Sequence, residues 1–203
     1  MVHHNSYLAL GDSYTIGESV PIHESFPYQT VQLLRKAKQH FYAPEIVAQT
    51  SWTSAELAEH VLHTQLNEQY DYVSLLIGVN NQYRGLSIVD FAIDFNFLLN
   101  KAVHLAGNKS DHVIVLSIPD WGCTPFAKEK DHTLISKEID AFNKVCSDAA
   151  LRAKAHFINI TDETRAEKSN LKAVAKDQLH YSGTTHLRWS EKLTATIINH
   201  SIA

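Results

Sequence analysis

Cysteine is scarce in this chain. Cys123 and Cys146 are the only two among 203 residues. They form no Cys-x-x-Cys pair and are too few for a disulfide framework, so both are expected as free thiols. Long apolar runs are missing as well. No stretch reaches the roughly 18 residues that a membrane-spanning helix needs, and the start, Met-Val-His-His-Asn-Ser, lacks the basic stretch and apolar core of a secretion signal. A cytoplasmic protein is the simplest expectation, and an exported form without its leader would read the same way. There is no basic cluster and the net charge is -4, which disfavours a nucleic-acid partner, because phosphate binding needs grouped Lys and Arg. Neither Gly-x-x-x-x-Gly-Lys nor Gly-x-Gly-x-x-Gly occurs, so those nucleotide-binding loops are absent. A Gly-x-Ser-x-Gly elbow is absent too.

Glycine numbers only seven. Gly11 and Gly17 flank Ser13, Gly78 and Gly85 flank Asn80, and Gly122 and Gly183 fall in the two longest irregular regions. Gly107 ends a helical stretch. A chain this sparing with glycine places it where the backbone turns sharply or passes close to a ligand.

Histidine, by contrast, is abundant, with thirteen. The best metal-like spacing, His60-x-x-His63, has no carboxylate placed to complete a site. No metal is expected, and these are read as surface or partly buried helix histidines.

With 44% hydrophobic and 20% charged residues, the chain suits one domain, 1–203, with a full core. Near-continuous apolar runs predict strands over Tyr7–Leu10, Glu45–Ala48, Tyr72–Ile77, His112–Ile118 and His156–Ile160. Longer amphipathic stretches predict helices over Tyr28–His40, Ser54–Gln65, Ile88–Ala106, Leu134–Lys154 and Thr185–His200. Thr53 and Glu56 have capping-box spacing, with Trp52 and Leu57 at the two staple positions. The alternation predicts a three-layer α/β/α sandwich on a five-stranded, mostly parallel sheet.

The informative segment is Leu8-Ala9-Leu10-Gly11-Asp12-Ser13-Tyr14, an apolar run that hands a hydroxyl to a loop. In a doubly wound sheet the strand ends share one edge, where ligands bind. Ala48-Gln49-Thr50-Ser51 closes the second strand, Ile77-Gly78-Val79-Asn80-Asn81 closes the third, and Asp177-Gln178-Leu179-His180 precedes the last helix. Ser13, Ser51, Asn80 and His180 can meet there.

These blocks resemble those of the SGNH hydrolases of the GDSL type, in order and over nearly the whole chain. Gly11-Asp12-Ser13-Tyr14 with Gly17 is similar to the first block, Gly78-x-Asn80-Asn81 to the third and Asp177-x-x-His180 to the last. The resemblance implies a flavodoxin-like fold and a cofactor-free esterase. It implies Ser13 as nucleophile, His180 as base then acid, and Asp177 as the orienting carboxylate. The N–H of Ser13 and the Asn80 amide would face the oxyanion. The family glycine of the second block is replaced by Ser51, whose N–H keeps the donor role but whose backbone is strained if φ is positive. Asn81 stands for the usual aspartate and Gln178 for a common glycine, both read as changes of shape. Asp12 is read as shaping the turn.

Trp52, Tyr83, Trp121 and Phe126 sit in or beside these loops, and the first three are expected to line the pocket. Asp120 is expected near the cleft, and Arg84 near an anionic substrate or in solvent. The expected substrate is a small or medium acyl ester. A carbohydrate O-acetylesterase of the same fold and a ligand-binding pseudoenzyme, the latter suggested by Ser51, remain as alternatives.

Overall fold

The computed structural model describes residues 3–202. Five strands, β1 (Tyr7–Gly11), β2 (Glu45–Ala48), β3 (Tyr72–Leu76), β4 (Val113–Leu116) and β5 (His156–Ile158), form one sheet in the order β2-β1-β3-β4-β5. Every pairing is parallel. β1, β3 and β4 are buried along their whole length, as strands covered by helices on both faces must be. This is why their sequences are apolar without alternation.

The helices are α1 (Ser13–Ile16), α2 (Phe26–Lys36), α3 (Ser54–His63), α4 (Val79–Tyr83), α5 (Ile88–Leu105), α6 (His132–Ala153), α7 (Thr161–Ala166) and α8 (Gly183–Ile202). α2 packs on α8, while α5 packs between α3 and α6, giving the two outer layers. Trp189, Leu193 and Ile197 of α8 and Phe91, Phe95 and Leu98 of α5 are buried in the core.

Chain direction reverses on either side of β1: the path goes outward to β2, then back to β3. The switch point therefore lies between β1 and β3, and Ser13 and Asn80 follow these two strands directly.

The expected fold is present, and all five long helices stand within a few residues of expectation. α2 begins two residues early because Pro27 fits the first turn. It ends early, at Lys36, with Lys38 in the left-handed region. His112 belongs to a short 3-10 turn, Ser110–His112, so β4 starts one residue later. Three short helices, α1, α4 and α7, were not expected, because four to six residues carry too little periodicity. The capping box stands as read: the Thr53 N–H donates to Glu56 Oε2 (2.7 Å) and the Thr53 hydroxyl caps the Glu56 N–H. Both cysteines are free. Among the described residues, no helix is long and apolar enough to cross a membrane.

Candidate active site

Ser13 is the first residue of α1, one step past β1 and Asp12. Two features force the sharp handover. A Cβ at Gly11 would collide with the Leu76 carbonyl oxygen and the Thr15 hydroxyl, so only glycine fits beside β3. Asp12 then caps the turn, its Oδ1 accepting the Tyr14 N–H at 3.0 Å. Asp12 is buried, and its Oδ2 has no hydrogen-bond partner among the described residues. Burial pushes its carboxyl up to about 7, against the backbone N–H bonds that favour the anion. This agrees with a turn-shaping role.

Asp177 and His180 form the central pair. The His180 Nδ1–H donates to Asp177 Oδ2 at 2.6 Å. That fixes the tautomer and leaves Nε2 as the free lone pair. Asp177 is held on every side: Ser19 Oγ donates to Oδ2 (2.6 Å), and the N–H groups of Leu179 and His180 donate to Oδ1 (3.0 Å each). Burial would raise its carboxyl, but these bonds outweigh it and hold it well below the usual carboxylate range. The Tyr14 ring meets the His180 imidazole edge to face at 5.7 Å, which restrains the imidazole from its other side.

Three residues here carry left-handed backbones without being glycine: Ser19 (φ 65°), Ser51 (φ 71°) and Gln178 (φ 62°). The strain anticipated for Ser51 is therefore present. Its carbonyl accepts from Arg84 Nη2, and Arg84 also pairs with Glu56 at 3.5 Å. Arg84 thus braces the Ser51 loop against α3, which accounts for it without an anionic ligand. Gln178 is tied down as its carbonyl accepts the Phe126 N–H at 3.0 Å.

Asn80 donates one amide N–H to the Trp52 carbonyl at 2.9 Å. An amide has two such hydrogens, so the bond orients the group and leaves the second free to donate. Gly78, at φ 129°, opens α4 ahead of it, a conformation closed to other residues there. Asn81 points elsewhere. It accepts the Ser54 N–H (2.9 Å) and donates to Ser54 Oγ (2.8 Å), joining α4 to the start of α3.

Ser13, Ser51, Asn80 and His180 all line one cavity of about 180 Å³, with Tyr83 and Trp121 among its walls. Tyr14, Thr50, Val79, Phe126 and Leu179 complete it. Each of these except Phe126 adjoins a motif residue in sequence, which is a readable signal, whereas Phe126 carries only that of a loop aromatic. Trp52 does not line the cavity. Its ring packs on His60 of α3 at 4.6 Å instead. Trp121 is buried, donates from Nε1 to Gln82 Oε1 (2.7 Å), and stands edge to face with Tyr83 and Phe126. Asp120 is not in the wall either. Its carboxylate is fully buried against Arg165 Nε (2.8 Å) and Ser136 Oγ (2.6 Å).

A serine hydroxyl, an imidazole backed by a carboxylate, and an amide with a spare N–H around one largely apolar cavity is the equipment of acyl transfer. The profile of the GDSL-like Lipase/Acylhydrolase family matches residues 9–188, and the chain belongs to that family of ester-bond hydrolases. A search of curated protein sequences finds no match. Among solved structures the fold is similar to TesA, at 16% identity and a TM-score of 0.75, covering 95% of this chain and 97% of that one. It is also similar to the psychrotrophic esterase EstA from Pseudoalteromonas sp. (14%, 0.72, 98% and 100%) and to Axe2, an acetylxylan esterase from Geobacillus stearothermophilus (15%, 0.75, 95% and 94%). At these identities the likeness is one of fold.

Proposed function

We propose that this protein is a serine esterase that cleaves small or medium acyl esters through an acyl-enzyme on Ser13. The observation that carries the reading is the 2.6 Å Asp177–His180 bond at the wall of the cavity that also holds Ser13. In the forward step, His180 Nε2 takes the Ser13 proton as Oγ attacks the ester carbonyl. Negative charge gathers on the carbonyl oxygen, which the N–H groups of Ser13 and Ser51 and the second hydrogen of the Asn80 amide receive. The intermediate collapses, His180 returns the proton to the leaving alkoxide, and the alcohol departs. Water then repeats the sequence on the acyl-enzyme, releasing the acid and restoring Ser13. Asp177 stays ionised throughout and stabilises the imidazolium.

Tyr83 and Phe126 favour a second reading. Both are exposed at the mouth, at 53% and 43%, and exposed rings stack well on sugar faces. An acetylated saccharide is the substrate they suit, with the same chemistry at Ser13.

The test is hydrolysis of p-nitrophenyl acetate, butyrate and octanoate and of an acetylated xylo-oligosaccharide by wild type and Ser13→Ala. Turnover of at least one ester by wild type and none by the variant is expected. Equal hydrolysis by Ser13→Ala would remove the serine from the mechanism, and a marked preference for the saccharide would select the second reading.

A further inference from the structure

At the opposite edge of the sheet, Asp111, His112 and His200 each direct one ligand atom into a common space, all within 4.8 Å of one another. We propose that these three residues bind a divalent transition-metal cation of the zinc class, which fastens the last turn of α8 to the start of β4.

The donor set is two imidazoles and one carboxylate, which suits zinc and leaves a fourth position for water. Tetrahedral zinc with bonds of about 2.0–2.1 Å sets its ligand atoms about 3.3 Å apart. His200 Nε2 and Asp111 Oδ2 already stand 3.5 Å apart.

The ring of His112 is prepared as metal-bound histidines usually are. Its Nδ1 lies 2.5 Å from the Asp71 carbonyl oxygen. A carbonyl only accepts, so Nδ1 carries the hydrogen and Nε2 is left with its lone pair. The ring is stacked on Tyr72 (4.8 Å, 14° between planes) and met edge-on by His200 at 4.8 Å. Asp71 is itself held by the N–H and hydroxyl of Ser6 (2.7 and 2.9 Å). Its carbonyl is therefore a fixed support for the imidazole.

A second observation points the same way. His156 opens β5 beside this cluster, its ring 6.1 Å from that of His200. Its Nε2 is buried with no hydrogen-bond partner among the described residues. A buried polar atom left unpaired needs an explanation, and a hydrated cation next to it supplies one.

The consequence is mechanical. α8 begins at Gly183, three residues after His180, and ends at this cluster. A cation here pins the far end of the helix that follows the catalytic loop. The site lies outside the acylhydrolase reading and does not depend on it.

The experiment is calorimetric titration of zinc chloride into the metal-stripped full chain, with melting temperature as a second readout. Variants are His200→Ala, Asp111→Asn and, as a control for the other histidines, the double variant His60→Ala/His63→Ala. One saturating equivalent is expected for wild type and for the control. Affinity should fall by about 100-fold or more in His200→Ala and clearly in Asp111→Asn, since even supporting residues around a metal are worth 10–100-fold. At a hundredfold excess over Kd, the wild-type melting temperature should rise by about 5–10 °C. Asp111 is exposed, so Asp111→Asn should melt like wild type without metal, which separates lost binding from lost folding. No saturable equivalent in wild type, or one that survives both single variants unchanged, would overturn the proposal.

Discussion

Among the described residues, six that are not glycine hold left-handed backbones, and they divide into two groups. Lys38, Asn108 and Lys154 lie at the ends of α2, α5 and α6. There the conformation closes a helix: the N–H groups of Asn108 and Lys154 return to the carbonyls of Val103 and Leu151. Ser19, Ser51 and Gln178 lie at the edge that carries the cavity, and no helix ends at any of them. Each is held by a bond from another loop or helix: Ser19 by its hydroxyl on Asp177, Ser51 by Arg84, Gln178 by the Phe126 N–H. The same backbone state terminates a helix in one region and shapes the loops around the cavity in the other. Strain at the edge is thus part of how the site is positioned, and the surrounding hydrogen bonds hold it in place.

This contrast is sharpened by variants that should separate rate from stability. At the edge, His180→Ala should lower ester turnover by about 10⁴-fold or more with little change in melting temperature. Asp177→Ala should lower it less, because the imidazole keeps its restraint from Tyr14. Equal losses in a steady-state comparison would count against that order. Asn80→Ala should cost about 10²–10³ in kcat, the worth of one oxyanion donor. A change confined to KM would reassign Asn80 to substrate binding.

Much of this was legible in the chain. Parallel strands buried on both faces write themselves as apolar runs, so β1, β3 and β4 could be read directly. The blocks around Ser13 and Asn80 follow β1 and β3, whose ends a parallel sheet gathers, while Asp177-x-x-His180 was legible from its motif and its place just before the last helix. Other features left no local trace. Trp52 was expected in the cavity, yet its ring turns onto His60 of α3. Asp120 stands four residues past β4, but the partner that turns it away, Arg165, is 45 residues further on. Asp111, His112 and His200 come together only because α8 returns along the sheet. No spacing rule joins residues so far apart.

Smaller effects probe the backbone itself. Ser51→Gly and Lys154→Gly both remove a side chain from a left-handed residue and should each stabilise the fold by about 1 kcal/mol, or about 2–4 °C. A gain at Lys154 with none at Ser51 would mean that the edge carries no strain.

A further effect is a slope. Burial, with the nearby His180 charge, lowers the His186 imidazole to about 3. Its neutral form therefore stabilises the fold above the unfolded value near 6.5, and that stability is lost as pH falls from there toward 3. Asp12, raised to about 7, acts oppositely: its contribution is complete below the unfolded value near 3.8 and is lost as pH rises toward 7. Between pH 4 and 6.5 the two slopes cancel, each being at most about 1.4 kcal/mol per pH unit. Asp12→Asn removes one, so stability should rise with pH more steeply in the variant. A parallel pair of melting curves across that range would contradict the burial argument.

The most direct examination of the central claim is mass spectrometry after exposure to an organophosphonate, which reacts only with an activated serine. One adduct on the peptide carrying Ser13 is expected, absent in Ser13→Ala and greatly slowed in His180→Ala. An unmodified Ser13 in folded wild-type protein, or labelling that persists unchanged without His180, would contradict the account.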